Sequence, residues 1–410
     1  MRIVLFNQPI SNRGDESAHK AVLRALSKRF PQAEIKVLFP DMVNGEPFIV
    51  HADNVEYVQM QKFHPNRLYS KFIKVTLLCK HLRLLWRIAP GVRQHYSLMK
   101  SADYNICFPG GIDMGGFQSW GHVFMLQLAK ATGKPLAYYS RSFGPFPTTT
   151  LKNRWFKKLS IDVLHYFDFM SFRDSKSCKL AEDLGLNYVS TVDSAFLDYP
   201  EVEIPSDIAK KIGSDYVVFV PNLLIWHYAY RGRIARDTVI NFFAKMANIL
   251  MEKFPTSKIV MLPQTYGYTD EANGNDEYFF HEIEPVVKNE RLVIVPDHAC
   301  DSDAQQCIIR KARLMVGARY HSVVFAINNN VPFVALNYEH KISGLLETLG
   351  KQDRMVDIVH AMDNSENEKV ALNLFMSKLE YFQPDPDAQQ KAKAIANNCM
   401  DKFIDKINET

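Results

Sequence analysis

Cysteine is sparse in this chain, and its spacing builds nothing. The six cysteines stand at positions 79, 107, 178, 300, 307 and 399, with no Cys-x-x-Cys pair and no Cys/His spacing of a metal site. Most sit in apolar surroundings, as Cys107 does in Asn105-Ile106-Cys107-Phe108, which fits reduced core thiols rather than a disulfide framework. No apolar run approaches the ~20 residues of a spanning helix. The opening Met1-Arg2-Ile3-Val4-Leu5-Phe6 is too short for a signal peptide and reads as a strand, so a cytoplasmic protein is expected. Charge of one sign is also lacking: 49 Lys+Arg against 45 Asp+Glu leaves +4, too mild a balance to imply nucleic acid. Internal repeats and low-complexity tracts are missing. One absence is local. Between Glu56 and Asp103 there is no acidic residue, while nine Lys or Arg are interleaved with Leu, Ile, Phe and Trp86. Leu68 to Ile88 within it looks helical, but its cations do not share one face. It reads either as a core helix with a solvated basic side or as a surface for anionic membrane or a lipid diphosphate.

The chain that remains is ordinary in composition, at 47% hydrophobic and 23% charged residues over 410 positions, enough for two or three domains with their own cores. Strand, loop and helix alternate from the start. Ile3 to Phe6 is followed by a polar loop, a helix that Asp15 can cap, and a strand at Ile35 to Phe39, which is the rhythm of a parallel α/β sheet. The strand Tyr104 to Phe108 runs into the glycine-rich Pro109 to Gly116, expected as a loop at the sheet's C-terminal edge, where α/β ligands bind. A helix over Trp120 to Ala131 and a strand over Leu136 to Tyr139 come next. Asp198 to Pro205, with two prolines and three acids, is the best linker. A second α/β rhythm follows: strand Tyr216 to Val220, helix Thr238 to Phe254, strand Lys258 to Leu262, polar loop Pro263 to Gly267, strand Leu292 to Val295 and helix Asp303 to Ala312. Ala388 to Ile407 reads as a C-terminal helix.

The stretch Leu314 to Lys341 concentrates the chemistry. Leu314 to Val316 ends at Gly317 as a buried strand and turn, Ser322 to Ile327 continues as a small apolar helix, and Val331 to Leu336 is another strand. Arg319 and His321 therefore stand at a helix N-terminus, among free N–H groups and the positive end of the dipole, where phosphate or carboxylate binds readily. Arg319 brings a planar fork for an oxyanion and His321 a group that titrates near neutral pH.

Gly317-Ala318-Arg319-Tyr320-His321, with Ala326, Val331-Pro332 and Tyr338-x-x-Lys341, resembles the C-terminal signature of the polysaccharide pyruvyl transferase family. Asn12-Arg13-Gly14-Asp15 resembles the family's N-x-G-D opening and is not the G-x-G-x-x-G dinucleotide fingerprint. Pro109 to Gly116, Arg141 to Phe146, Ser171 to Ser175 and Val192 to Phe196 are similar to further family elements, so the resemblance runs over residues 7 to 345. Arg141 stands where the family more often has Gln. An Arg that often follows the first strand of the second domain is absent after Val220, and the nearest substitutes are Arg231 and Arg233.

The resemblance implies two Rossmann-like α/β domains facing across a cleft, a GT-B-like architecture. The N-terminal domain, 1–200, would be the acceptor side, the domain over 201–382 the phosphoenolpyruvate side, and the helix of 383–410 would pack back on the first. It implies a transferase that moves the pyruvyl group of phosphoenolpyruvate onto a sugar of a polysaccharide, such as an exopolysaccharide or capsule, or of a lipid-diphosphate-linked oligosaccharide. The product is a ketal, phosphate is released, and no cofactor or metal is demanded. His321 and Arg319 are the expected catalytic residues; Arg319, His321, Ser322, Lys341 and Arg231 the donor-binding ones; Asn12, Asp15, Gly110, Gly111, Asp113 and Asp193 the acceptor-binding ones. Removing either His321 or Arg319 is expected to abolish turnover in a folded protein. Two other classes stay open: a nucleotide-sugar-dependent GT-B glycosyltransferase, with Arg319 and His321 gripping a diphosphate, and a silent anion- or polysaccharide-binding protein. Trp226-His227-Tyr228 looks like part of a site, but aromatics after a strand more often read as core or rim.

Overall fold

The computed structural model describes residues 1–8, 12–40, 49–60, 67–116, 118–227, 230–266, 274–380 and 383–410. Contacts divide the chain into two compact units. Unit 1 holds Met1–Ile10, Ala18–Leu197 and Ile395–Thr410; unit 2 holds Ser11–Ser17 and Asp198–Ala394.

Unit 1 is built on a parallel sheet of β1 (Arg2–Phe6), β2 (Glu34–Pro40), β3 (Val55–Met60), β4 (Tyr104–Cys107), β5 (Gly110–Gly115), β6 (Leu136–Gly144), β7 (Phe169–Phe172) and β8 (Val189–Ser190). Its order is β3-β2-β1-β4-β6-β7-β8, with β5 paired to β6. Both faces are covered, as a parallel sheet with crossover helices requires. Side chains alternate along β1, so Ile3 and Leu5 enter one core while Val4 and Phe6 enter the other. The first core is closed by the helix Pro386–Asn408, whose Phe403 ring lies 5.0 Å from Tyr139 and 4.8 Å from Phe169. The second is closed by the helices Val92–Ser101, Trp120–Ala131 and Leu151–Leu164.

Unit 2 is a second parallel sheet, of β9 (Tyr216–Val220), β10 (Lys258–Met261), β11 (Leu292–Ile294), β12 (Met315–Gly317), β13 (Phe333–Asn337) and β14 (Met355–Asp357). Its order, β11-β10-β9-β12-β13-β14, is the doubly wound 3-2-1-4-5-6 pattern. The chain reverses its direction of winding between β9 and β12, and Arg319 follows β12 directly.

Four local readings change. The helix expected from Asp15 runs over Arg13–Arg29, and its cap is Asn12, whose Oδ1 accepts from the Gly14 and Asp15 amides at 2.7 and 3.3 Å. Residues 12–17 belong to unit 2, so Asn12 and Asp15 stand on the same unit as Arg319, not on the N-terminal one. Gly110–Gly115 is not a loop but a short strand, which pairs with β6 through two register shifts. The helical reading of Leu68 to Ile88 divides in two: an α-helix over Arg67–Leu78, then a 3-10 helix over Lys80–Arg87, parted by Cys79 in extended conformation.

Candidate active site

Arg319, Asp276, Asp297, Glu339 and His227 all lie past the C-terminal ends of unit 2 strands, the edge where open α/β sheets bind ligands. Arg319 is the N-cap residue of the helix Tyr320–Asn328. The entry is tight because strand and helix nearly touch: a Cβ on Gly317 would fall 2.0 Å from Ser322 Oγ. Ser322 is fully buried and donates to the Arg319 carbonyl at 2.6 Å. It therefore closes the first turn, and its expected place in donor binding gives way to a structural one.

Arg319 is held from outside its own helix. Its Nη2 donates to Thr265 Oγ1 at 2.8 Å and pairs with the Asp276 carboxylate. The other oxygen of Asp276 accepts the Gln264 and Thr265 amides at 2.9 and 3.0 Å. Asp276, buried at the start of the helix Asp276–Val287, thus fixes the guanidinium and ties down the loop after β10 in one stroke. Sequence reading passed over Asp276. The only signal for it was an acid at a helix start beyond the polar loop Pro263 to Gly267, and Gly267 lies outside the described residues.

His321 is buried two residues beyond Arg319, and the start of the Arg13–Arg29 helix lies against it. A Cβ on Gly14 would stand 1.9 Å from both Cγ and Nδ1 of the ring. Glycine is thus the residue that admits this approach. The contact is pinned on both sides: Asn12 bridges Thr265, the Arg13 amide donates to Gln264 O at 2.9 Å, and Gln306 Nε2 donates to Ser17 Oγ at 3.1 Å. Arg13 is paired with Glu16 at 2.8 Å, lies over the Tyr266 ring at 4.1 Å and donates to the Asp297 carbonyl at 3.0 Å.

Beyond β13, Glu339 gathers a second set. Lys341 Nζ lies 3.4 Å and His227 Nε2 3.8 Å from its carboxylate, and the Tyr338 hydroxyl donates to it at 3.2 Å. Burial works against the charged form of Glu339, but Lys341, His227 and His340 together hold its carboxyl below the usual range. Burial in turn lowers the His227 imidazole, against the pull of Glu339. Lys341 is therefore half of a sheltered ion pair. His227 belongs to the rim of the site, packed edge-on to Tyr338 at 5.4 Å; Trp226 beside it is 45% exposed, and Tyr228 lies outside the described residues. The sequence marked His227 as site-like but favoured core or rim for it, and it did not mark Glu339.

Arg231 touches this group through its backbone, its amide donating to His227 O at 2.9 Å, and no side-chain contact brings its guanidinium in among the described residues. It is exposed on the turn after β9, and its neighbour Arg233 is committed to Asp363 at 3.0 Å and Val359 O at 2.6 Å. The missing arginine after Val220 is thus not replaced by Arg233.

Asp297, after β11, was also missed. Its Oδ1 is buried without a hydrogen-bond partner among the described residues. Burial first, then Glu277 and Asp276, push its carboxyl up to about 7, against the pull of Arg13. The fold favours the protonated form, so this group lowers stability progressively as pH rises from the ordinary carboxylate range through about 7. Asp297→Asn is expected to gain about 2 to 4 kcal/mol at pH 8 and almost nothing at pH 4. Denaturant unfolding at the two pH values checks this; an equal effect at both would disprove it.

On unit 1, Arg141 is fully buried. It donates to Phe108 O at 2.5 Å, Pro109 O at 3.3 Å and Gly111 O at 3.5 Å, and it pairs with Asp113. A Cβ on Gly110 would sit 3.1 Å from the guanidinium, whereas one on Gly111 would meet nothing within 4 Å. Asp113 keeps 29% of its side chain exposed. Gly111 and Asp113 are accessible, while Gly110 serves the packing of Arg141. Asp193 departs from expectation. Its side chain is fully buried, paired with Arg173 and accepting the Ala195 amide at 2.9 Å, so it has no open face for a sugar hydroxyl.

Two parallel α/β sheets, each wound outward from its first strand and carrying polar groups at the C-terminal edge, define a GT-B-like protein. Solved structures share the fold at low identity. UDP-N-acetylglucosamine 2-epimerase from Neisseria meningitidis, bound to UDP-GlcNAc, aligns with a TM-score of 0.54 at 11% identity, covering 100% of each chain. The trehalose-6-phosphate synthase OtsA aligns at 0.55 and 13%, covering 100% of this chain and 99% of that one. The family is shown by sequence: the model of the polysaccharide pyruvyl transferases matches residues 12–340, and the chain belongs to that family of enzymes. Amylovoran biosynthesis protein AmsJ of Erwinia amylovora is 23% identical over 419 residues, spanning 96% of this chain and 95% of AmsJ. No helix among the described residues is long and apolar enough to cross a membrane.

Proposed function

We propose that this enzyme transfers the pyruvyl group of phosphoenolpyruvate to two hydroxyls of a sugar in a polysaccharide or a lipid-linked oligosaccharide, at the inner face of the membrane. The observation that carries the reading is the Arg319–His321 pair at the first turn of the Tyr320–Asn328 helix, with Lys341 in the first turn of the helix His340–Leu349 that follows the next strand. A trianionic donor asks for that combination of helix terminus and fixed cations. Asp276 and Thr265 preorganise Arg319 for the carboxylate or phosphate, and His321 serves as phosphate donor or general acid. Protonation of the donor's methylene carbon makes a methyl group and leaves the adjacent carbon electrophilic. Two sugar oxygens then bond to that carbon, its bond to the phosphate oxygen breaks, and the hydroxyl protons balance the new methyl proton and the departing phosphate. Gly111 and Asp113 of unit 1 are the proposed acceptor contacts, with Asp113 accepting a sugar hydroxyl. Asn12 and Asp15, by their place beside Thr265 and Gly14, serve the donor side instead.

The test is phosphate release from phosphoenolpyruvate with candidate polysaccharide and lipid-linked acceptors, read beside the methyl signal of the ketal by NMR. Release that depends on an acceptor supports the proposal. No release with any acceptor, together with nucleoside diphosphate released from a nucleotide sugar, would reassign the site to glycosyl transfer.

A further inference from the structure

The acid-free segment of unit 1 serves neither the fold nor the chemistry with its outer surface. Its inner side is well anchored: Leu77, Trp86, Val92 and Met99 enter the core, the Trp86 ring packs edge-on against Phe124 at 5.4 Å, and Arg83 donates to Gln127 Oε1 at 2.9 Å and to Leu77 O at 3.1 Å. The segment is therefore fixed on the unit. The outer side is the anomaly. Of the seventeen large hydrophobic side chains exposed among the described residues, six fall in the fourteen positions from Val75 to Ile88. Leu84 and Ile88 are the most open, at 64% and 69%.

The 3-10 geometry explains how the surface forms. With three residues per turn, side chains at i and i+3 line up in rows. The row of Arg83 and Trp86 points inward. The row Leu82, Leu85 and Ile88 and the row Leu84 and Arg87 are left outside. An α-helix over the same residues would have wound them around; the break at Cys79 keeps them together. Exposed Lys71, Lys74, Arg87 and Arg93 flank these aliphatics. No residue from 57 to 102 carries a negative charge.

We infer that the outer face of residues 71–93 docks this enzyme on an anionic phospholipid bilayer, with Leu82, Leu84, Leu85 and Ile88 entering the interface and the flanking Lys and Arg meeting lipid phosphates. Aliphatic side chains flanked by cations match a surface with an apolar interior and a negative head-group layer; the segment itself has no acid, and Asp162 of a neighbouring helix lies 3.7 Å from Lys80. A second copy of this chain fits poorly, because a two-fold contact through the same face would set its cations against one another. The inference rests on the proposed function only for its purpose, which is to hold the enzyme beside a lipid-linked acceptor.

The experiment is co-sedimentation of the full chain with vesicles of phosphatidylcholine alone and of phosphatidylcholine mixed with phosphatidylglycerol. Binding to the anionic vesicles only, weakening as salt rises, is expected. L84D/I88D is expected to lose that binding, with melting temperature and phosphate release on a water-soluble acceptor unchanged, because both side chains are exposed. The double variant K74E/R87E should lose it too. Absence of wild-type binding, or variants that bind like wild type, would overturn the inference. A dimer that L84D/I88D converts to a monomer, without vesicle binding, would overturn it in favour of self-association. Vesicle binding is read without turnover, so a failure of the pyruvyl transfer reading leaves this test intact.

Discussion

His321→Ala loses about 10²- to 10⁴-fold in phosphate release from phosphoenolpyruvate, the range for removal of a positioned proton donor, and its melting temperature stays near that of wild type. The ring is buried beside Gly14, but it packs at the start of a helix whose apolar residues anchor it independently. Gly14→Ala should reach a comparable loss without touching the imidazole. Its new Cβ overlaps the ring at 1.9 Å, so either the ring turns or the first turn of the Arg13–Arg29 helix shifts. Overpacking of this kind also costs about 1–3 kcal/mol of stability. Steady-state kinetics with thermal unfolding separate the two: activity falls in both, stability only in the glycine variant. Full activity in His321→Ala would remove that residue from the mechanism. Arg319→Ala is a less clean probe than its place in the sequence suggested. It strips Asp276 of its cation inside the fold and should cost stability along with turnover.

Asp193→Ala is expected to destabilise the protein by about 3–5 kcal/mol, because it leaves the Arg173 guanidinium charged, buried and without its carboxylate. Below the unfolding transition the surviving folded fraction should bind acceptor with an unchanged KM, since Asp193 is closed to solvent. The double substitution Arg173→Met with Asp193→Leu should restore much of the stability, because an apolar pair of similar volume needs no compensation. Denaturant unfolding and acceptor titration check both statements. A raised acceptor KM in a stable Asp193→Ala protein would return this carboxylate to the binding site.

Elements governed by local pattern were readable in the sequence. Both α/β rhythms could be read because buried parallel strands are apolar throughout, as in Tyr216 to Val220 and Ile3 to Phe6. The strand–turn–helix around Arg319 could be read because Gly317 marks the turn. What failed was long-range. β3, with Val55-Glu56-Tyr57-Val58-Gln59-Met60, is a half-exposed edge strand whose polar residues hide its pattern. Asn12 outcompeted Asp15 as a cap because the helix starts three residues earlier than a helix capped by Asp15 would. The partners that decide which charges are open, Asp276 for Arg319, Arg173 for Asp193 and Arg141 for Asp113, stand between 20 and 43 residues away in sequence, and no spacing rule connects them. For the same reason residues 12–17 could not be assigned to unit 2 from their neighbours in the chain.

β5 has a last consequence. Its ladder with β6 slips twice in six residues, and among the described residues its remaining backbone pairing is the isolated bridge of Met114 with Gln118, beside which the Ser119 amide donates to Asp113 O at 3.1 Å. Amides in such a strand exchange with solvent through local opening well before those of β4 and β6, which are hydrogen-bonded along both sides. The segment bearing Gly111 and Asp113 is thus held by an irregular ladder, the Met114–Gln118 bridge and the Arg141 side chain. Under the proposed assignment, much of the entropy lost on acceptor binding is the entropy of ordering this one short strand.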